Sequence, residues 1–116
     1  MKSGADLINE AKEKIREVSA RDAVATPEPG VVYFDCREPN EYALGHIPGA
    51  VFLPRGNLET KVEALIPRDA KVVIYCATGN RSALAADTMQ QMGYEDVASM
   101  SGGFRGWVEA GGAVES

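Results

Sequence analysis

The sequence predicts a single α/β domain with a largely parallel sheet and helices on both of its faces. Short apolar runs rich in β-branched and aromatic residues, the strongest being Lys71-Val72-Val73-Ile74-Tyr75, alternate along the chain with segments of helical periodicity. This alternation is typical of units in which a helix joins two parallel strands. A chain of 116 residues can bury one hydrophobic core without disulfides or a structural metal. Sites in such folds gather beyond the carboxyl ends of the strands.

The first half of the chain predicts two helices, a strand and a third helix. Ala5 to Val18 carries apolar residues at helical spacing and predicts an amphipathic helix. Ser19 begins a variant capping box, so we expect a second short helix after it. Val31 to Phe34 follows a turn rich in proline and glycine and predicts a central strand buried on both faces. Pro39 to Leu44 then predicts a short helix that ends at Gly45.

The second half continues the alternation of strands and helices. Ala50 to Leu53 is a short strand candidate between two proline-containing turns, and Asn57 to Ile66 is helical in pattern. Lys71 to Tyr75 is the strongest strand in the chain. Ser82 to Met92 predicts a helix closed by a glycine, and a weak strand follows at Asp96 to Ser99. We find no repeat and no linker, so the chain is expected to fold as one unit.

Charge and composition exclude several classes of partner. The net charge is -5, and lysines and arginines stand singly, so we expect no nucleic-acid partner. No apolar run approaches the roughly 20 residues that span a bilayer, and Met1 to Asp6 lead into no signal-type apolar segment. We therefore expect a cytoplasmic protein that does not associate with membranes. The two cysteines, Cys36 and Cys76, match no metal-ligand spacing, and we expect neither a metal nor a cofactor.

The segment around Cys76 carries the candidate chemistry. A buried strand ends at this cysteine, and a short loop containing Gly79 and Arg81 leads into a helix. Backbone N–H groups of such a loop and the positive end of the helix stabilise an anionic sulfur. Arg81 adds a positive charge at the rim. On these residues alone, a reactive thiolate and an ordinary buried cysteine are equally good interpretations.

Four motifs that follow one another along the chain change this balance. They are Asp35-Cys36-Arg37-Glu38-Pro39-Asn40-Glu41-Tyr42, Gly45-His46-Ile47-Pro48-Gly49-Ala50, Cys76-Ala77-Thr78-Gly79-Asn80-Arg81-Ser82 and Gly102-Gly103-Phe104-Arg105-Gly106-Trp107. Together they closely resemble the rhodanese family of sulfurtransferases, over roughly Val18 to the C-terminus. The resemblance implies a five-stranded parallel sheet flanked by helices and a cysteine that alternates between thiolate and persulfide. It further implies a short edge strand at Ile15 to Val18, which divides the chain into an extra N-terminal helix over residues 1–14 and a rhodanese domain over residues 15–116.

The resemblance also assigns roles to individual residues. Cys76 is expected to be the nucleophile, and its outer sulfur is expected to be held by the loop N–H groups of Ala77, Thr78, Gly79, Asn80 and Arg81. Arg81 is expected to help hold the loop and the anion. Asp35 and Arg37 match paired charges that brace the loops, and we interpret them as a structural salt bridge. His46 is the only histidine, and we expect a structural role for it because a loop-stabilised thiolate needs no base. Phe104 and Trp107 are expected to pack a C-terminal helix beside the site.

The implied partners are a small sulfur donor and a sulfur acceptor. Thiosulfate, polysulfide, a low-molecular-weight persulfide and a protein-bound persulfide all remain open as donors, and the acceptor is a thiol or cyanide. Ala77 stands where many thiosulfate-using relatives carry a basic residue, so we expect thiosulfate to be a poor donor. A cysteine phosphatase or arsenate reductase is the nearest alternative, but its loop has one more residue between cysteine and arginine than the four here. A non-catalytic binding module is the third interpretation, and the presence of Cys76, Gly79 and Arg81 argues against it.

Cys36 occupies a position where the family usually has an aliphatic residue such as valine. We interpret it first as a core residue. The alternative is that it lies beside Cys76 at the end of a neighbouring strand and forms a disulfide with it. That alternative requires the two side chains to point to the same face of the sheet.

Overall fold

Five parallel strands form one sheet in the computed structural model, which describes all 116 residues. The strands are β1 (Arg16–Ser19), β2 (Val31–Asp35), β3 (Val51–Phe52), β4 (Lys71–Tyr75) and β5 (Val97–Ser101). Their order across the sheet is β1-β5-β4-β2-β3, and each neighbouring pair is parallel. The predicted five-stranded parallel sheet is confirmed.

Six helices cover the two faces of this sheet. They are α1 (Gly4–Lys14), α2 (Ala20–Ala25), α3 (Pro39–Leu44), α4 (Leu58–Leu65), α5 (Asn80–Gln91) and α6 (Gly103–Glu109). A short 3-10 helix at Arg55–Asn57 precedes α4. None of the helices is long and apolar enough to cross a membrane.

The central strand β4 divides the core into two clusters. Val72, Ile74 and Cys76 point to one face, where they pack with residues of α4 and α5. Val73 and Tyr75 point to the other face, where they pack with residues of α2 and α6. This alternation follows from the two-residue repeat of a strand that is buried on both sides.

The extra N-terminal helix is present but shorter than the periodicity predicted. The helix predicted over Ala5 to Val18 ends at Lys14, and β1 follows it. The apolar spacing was misleading at its end: Ile15 packs against the cluster on the α4 and α5 face, whereas Val18 packs against the opposite cluster. One helix face cannot serve both sides of a sheet. The edge strand that the family resemblance implied at Ile15 to Val18 is present, one residue later.

Local sequence signals predicted the boundaries of several of the following elements. The Ser19 hydroxyl accepts a hydrogen bond from the N–H of Asp22, which begins α2 where the variant capping box predicted it. The predicted bounds of β4 and of α3 agree with the structure. Helix α5 begins at Asn80, two residues before the predicted start at Ser82.

Helix α1 packs along α5 on the outside of the sheet. Ala11 is its one buried residue, and it is almost fully enclosed. The Lys12 ammonium donates to the Asn80 side-chain oxygen at 3.1 Å. The N-terminal helix therefore contacts the first residue of the helix that follows Cys76.

Candidate active site

The carboxyl ends of β2 and β4 meet at one edge of the sheet, and the sequence motifs converge there. Asp35 pairs in register with Tyr75. The N–H of Cys36 donates to the Tyr75 carbonyl at 3.1 Å, which closes this pairing at the ends of both strands. Cys76 follows directly, and it is only 1% exposed.

The Cys76 sulfur receives hydrogen bonds from the loop and from the first turn of α5. The N–H groups of Gly79 and Ser82 donate to Sγ at 3.1 and 3.4 Å. The Ser82 hydroxyl lies 3.5 Å from the same sulfur, and it can donate once the thiol is ionised. This arrangement stabilises a negative charge on the sulfur.

These contacts decide the acidity of the thiol. Burial acts to raise the pKa of Cys76, because it penalises the charged thiolate. Hydrogen bonds from the Ser82 hydroxyl and from the backbone of Ser82, Gly79 and Thr78 act in the opposite direction. Together they outweigh burial, so the pKa of Cys76 is lowered. The geometry therefore favours a thiolate at lower pH than a free cysteine would allow.

Gly79 makes the tight turn of the loop possible. Its φ is +111°, and it caps the N-terminus of α5. A Cβ at this position would lie 3.3 Å from the carbonyl oxygen of Met100, so a side chain would push the loop away from β5. The loop can close on the sulfur because this residue is glycine.

Helix α6 holds the outer side of the same loop. The N–H groups of Phe104 and Arg105 donate to the carbonyl oxygens of Cys76 and Ala77 at 2.8 and 3.2 Å. This approach requires Gly103, where a Cβ would lie 2.5 Å from the Ala77 oxygen. With these carbonyls bound on the outside, the N–H groups of Gly79 and Ser82 are the ones that donate to the sulfur.

Arg81 is paired with a carboxylate from another part of the chain. Its two terminal nitrogens donate to the two oxygens of Glu41 at 2.9 and 3.2 Å. These hydrogen bonds raise the pKa of Arg81 and lower the pKa of Glu41. Arg81 therefore joins the loop to α3, and much of its positive charge is neutralised.

Asp35 and Arg37 form a buried ion pair beneath the site. Arg37 Nη2 lies 2.8 Å from Asp35 Oδ2 and also donates to the Gly45 carbonyl at 2.6 Å. The guanidinium stacks over the Phe104 ring, 4.3 Å from its centroid. The pair links β2, the end of α3 and α6, and this geometry is that of a bracing contact.

His46, Asn80 and Ala77 are the remaining residues of the predicted motifs whose surroundings bear on the site. Both ring nitrogens of His46 are engaged, Nδ1 with the Tyr42 carbonyl at 3.0 Å and Nε2 with the Glu115 carboxylate at 3.4 Å. Asn80 accepts from α1, as described above. Ala77 presents only a half-buried methyl group at the loop.

Three residues that shape this site had no predicted role. Glu41 pairs with Arg81, Ser82 contacts the sulfur, and the Ser99 hydroxyl lies 2.8 Å from that of Ser82. The contact from Ser82 could have been predicted from the sequence, because a hydroxyl in the first turn of the helix after the loop can reach back to the cysteine. Ser99 lies in β5, and nothing in the sequence indicated that it would contact Ser82.

Cys36 shares a face of the sheet with Cys76. Both side chains belong to the cluster on the α4 and α5 side, and Cys36 is completely buried. Its thiol lies 3.5 Å from the Tyr75 carbonyl oxygen. Burial, followed by the nearby Cys76, raises the pKa of Cys36 far above its ordinary value. Packing of Cys36 in the core is thus observed, and so is the shared face that its alternative role requires.

Comparisons with known proteins agree with this geometry. The family model of the rhodanese-like domain matches residues 18–110. The thiosulfate sulfurtransferase GlpE of Pseudomonas fluorescens (strain Pf-5) is 35% identical over 94 residues, which cover 81% of this chain and 85% of that protein. A sulfurtransferase of Allochromatium vinosum is 40% identical over 81 residues, covering 70% of this chain and 75% of its own.

Two solved structures are similar over most of the chain. A protein of unknown function from Rhodopseudomonas palustris, described as a possible tyrosine phosphatase, is 38% identical with a TM-score of 0.89, covering 99% of this chain and 96% of that one. A rhodanese-related protein from Thermoplasma volcanium is 33% identical with a TM-score of 0.78, covering 86% of this chain and 97% of its own.

Proposed function

This chain belongs to the rhodanese-like domain family, and from that premise we propose that it is a sulfurtransferase that carries sulfane sulfur as a persulfide on Cys76. The observation that carries the proposal is the set of hydrogen bonds to the Cys76 sulfur from Gly79 and Ser82. They stabilise the thiolate that must attack the donor. The same loop suits an anionic persulfide, which is larger by one atom.

The reaction has two steps. The Cys76 thiolate attacks the sulfane sulfur of the donor, and the remainder of the donor leaves with the bonding electron pair, as sulfite from thiosulfate or as a thiolate from a persulfide. An acceptor, either a thiol or cyanide, then attacks the outer sulfur of the Cys76 persulfide and releases the thiolate. Loop N–H groups stabilise the negative charge at both stages, which is the electrostatic contribution of the protein.

Polysulfide or a low-molecular-weight persulfide is the proposed donor. A dianionic donor such as thiosulfate needs positive charge at the mouth of the loop, and Ala77 supplies none. Arg81 is neutralised by Glu41, and the guanidinium of Arg105 lies beside Glu109. We expect Ala77→Arg to raise kcat/KM for thiosulfate and to leave the rate with a low-molecular-weight persulfide little changed. A clear preference of the unmodified protein for thiosulfate would contradict this specificity.

A phosphatase is the second candidate, and the similar Rhodopseudomonas palustris structure favours it. Two features of this chain oppose it. The loop has four residues between Cys76 and Arg81, which suits one sulfur atom better than a tetrahedral phosphoryl group. Arg81 already bonds Glu41 through both terminal nitrogens, so it is not free to bind phosphate oxygens.

The test is sulfur loading followed by intact-mass measurement. Wild-type protein, Cys76→Ser and Cys36→Val are each treated with polysulfide and desalted. Cys36→Val is the matched control, because it also removes one thiol. We expect one added sulfur on Cys36→Val, none on Cys76→Ser, and thiocyanate formation with cyanide only where Cys76 is present. Full sulfurtransferase activity of Cys76→Ser, or turnover of p-nitrophenyl phosphate in place of sulfur transfer, would overturn the proposal.

A further inference from the structure

We propose that Cys36 is an internal acceptor: its thiol attacks the inner sulfur of the Cys76 persulfide, releases hydrosulfide and leaves a Cys36–Cys76 disulfide. This inference rests on the proposed function, because it needs sulfur on Cys76. It adds a second activity, the reductive release of sulfide from sulfane-sulfur donors. An external dithiol completes the cycle by reducing the disulfide.

The strand register brings the two cysteines together. Strands β2 and β4 pair from Val31 with Lys71 to Asp35 with Tyr75. The hydrogen bond from the Cys36 N–H to the Tyr75 carbonyl belongs to the last matched pair, and Cys36 and Cys76 are the residues that directly follow that pair on the two strands. Neighbouring strands are about 4.8 Å apart, which falls in the range of Cα separations that a disulfide spans.

The side chains also point the same way. Along β2 and its extension, Val32, Phe34 and Cys36 face the cluster on the α4 and α5 side. Along β4, Cys76 faces the same cluster. Register and face are independent conditions for contact between two side chains, and this pair meets both.

Burial makes the pair a closed reaction site. Cys36 is fully enclosed and Cys76 is 1% exposed, so both cysteine sulfurs lie inside the core. The loop N–H groups of Gly79 and Ser82 lie on one side of the Cys76 sulfur, and Cys36 approaches from the neighbouring strand. An attacking group held in place in this way replaces a bimolecular collision.

The step balances without an oxidant. The Cys36 thiol first gives its proton to the outer sulfur of the persulfide anion. The resulting Cys36 thiolate forms a bond to the inner sulfur, the bond between the inner and outer sulfurs breaks, and the outer sulfur leaves with the electron pair as hydrosulfide. The outer sulfur is reduced, and the two cysteine sulfurs are oxidised to the disulfide.

The experiment follows one turnover without an external thiol. Wild-type protein, Cys36→Val and Cys36→Ser are loaded with polysulfide, desalted and sampled over time by intact mass, bromobimane trapping of sulfide and peptide mapping. Wild-type protein should release about one equivalent of sulfide, become two hydrogens lighter than its reduced form and yield a linked Cys36–Cys76 peptide. On both variants the added sulfur should persist at least about tenfold longer, given the advantage of a positioned thiol.

The outcomes separate the two proposals. Cys36→Ser keeps the shape of the side chain in case valine disturbs the core, and thermal unfolding checks that each variant is folded. If no protein accepts sulfur, the proposed function fails, and the inference fails with it. If all three accept sulfur and lose it at the same rate, or if wild-type protein loses it without forming the linked peptide, only the inference is overturned.

Discussion

Replacing Ser82 by alanine removes a side-chain hydroxyl that contacts the Cys76 sulfur, 3.5 Å away. The backbone N–H groups of Gly79 and Ser82 remain, so the variant isolates one of the contacts that lower the pKa of Cys76. Losing it must move that pKa upward. The thiolate then becomes rarer at any pH below the pKa.

The size of the effect follows from the charge of the acceptor. Hydrogen bonds to charged groups contribute about 1.5 to 3 kcal/mol, and the long distance to sulfur places this contact at the lower end. A free energy of about 1.4 kcal/mol corresponds to a tenfold change in equilibrium. We therefore expect the thiolate fraction of Ser82→Ala, and its alkylation rate, to fall about tenfold on the acidic side of the titration.

The assay is the rate of iodoacetamide alkylation across pH, in the Cys36→Val background so that one thiol reacts. Ser82→Ala should shift the midpoint of the profile to higher pH and leave the alkaline plateau unchanged, because the ionised sulfur is the same nucleophile. Ser99→Ala is the matched control, since Ser99 lies 2.8 Å from the Ser82 hydroxyl but has no hydrogen bond to the sulfur. An unshifted profile in Ser82→Ala, or an equal shift in Ser99→Ala, would refute the reasoning.

Three further substitutions test other parts of the site. Glu41→Gln removes the charge that neutralises Arg81, so kcat/KM for thiosulfate should rise about fivefold at low salt, which corresponds to about 1 kcal/mol of Coulomb energy. The rise should be smaller at high salt because dissolved ions screen the exposed charge. A fall in kcat/KM would mean that Glu41 positions Arg81 for the donor. Gly103→Ala places a Cβ against the Ala77 oxygen at a φ of +58°, and it should lower the free energy of unfolding, measured in urea, by at least about 2 kcal/mol. The control is Gly111→Ala, which has a φ of +87° and open space around the added Cβ, so it should show only the smaller cost of the backbone conformation. Equal losses of stability in the two variants would contradict the clash at Gly103. Burial raises the pKa of Cys36 above its ordinary 9.0, so above pH 9.0 the unfolded chain loses this proton before the folded protein does. The free energy of unfolding should therefore fall by up to about 1.4 kcal/mol per pH unit. Cys36→Val should lack this fall in urea unfolding, and an identical pH dependence in wild-type protein and the variant would disprove it.

The fold was largely predictable because its signals are local. The strand Lys71 to Tyr75 is a continuous apolar run between turns, and the helix Pro39 to Leu44 has a proline at its start and a glycine at its end. Both have the predicted bounds. The segment Ile15 to Val18 did not carry such a signal, because pairing with β5, about eighty residues later in the chain, decides its conformation. Helical spacing cannot detect a partner so distant in sequence.

The site was predictable only in part for the same reason. The loop from Cys76 to Arg81 is continuous in sequence, so its turn and the following helix could be inferred from the residues themselves. The pairing of Arg81 with Glu41 joins positions 40 residues apart, and nothing in either residue type indicates the other. The face to which Cys36 points depended on the register of β2, which the sequence left open.

Neutral groups hold the reactive sulfur, and this has a consequence for its behaviour in salt. The contacts to Cys76 come from N–H dipoles and a hydroxyl around a buried sulfur, while Arg81, in the first turn of α5, is paired with Glu41. Dissolved ions screen exposed charges within about 10 Å at ordinary ionic strength but act little on buried dipoles. The thiol should therefore remain activated in concentrated salt, whereas an active site that depends on exposed lysines loses its attraction for the anion.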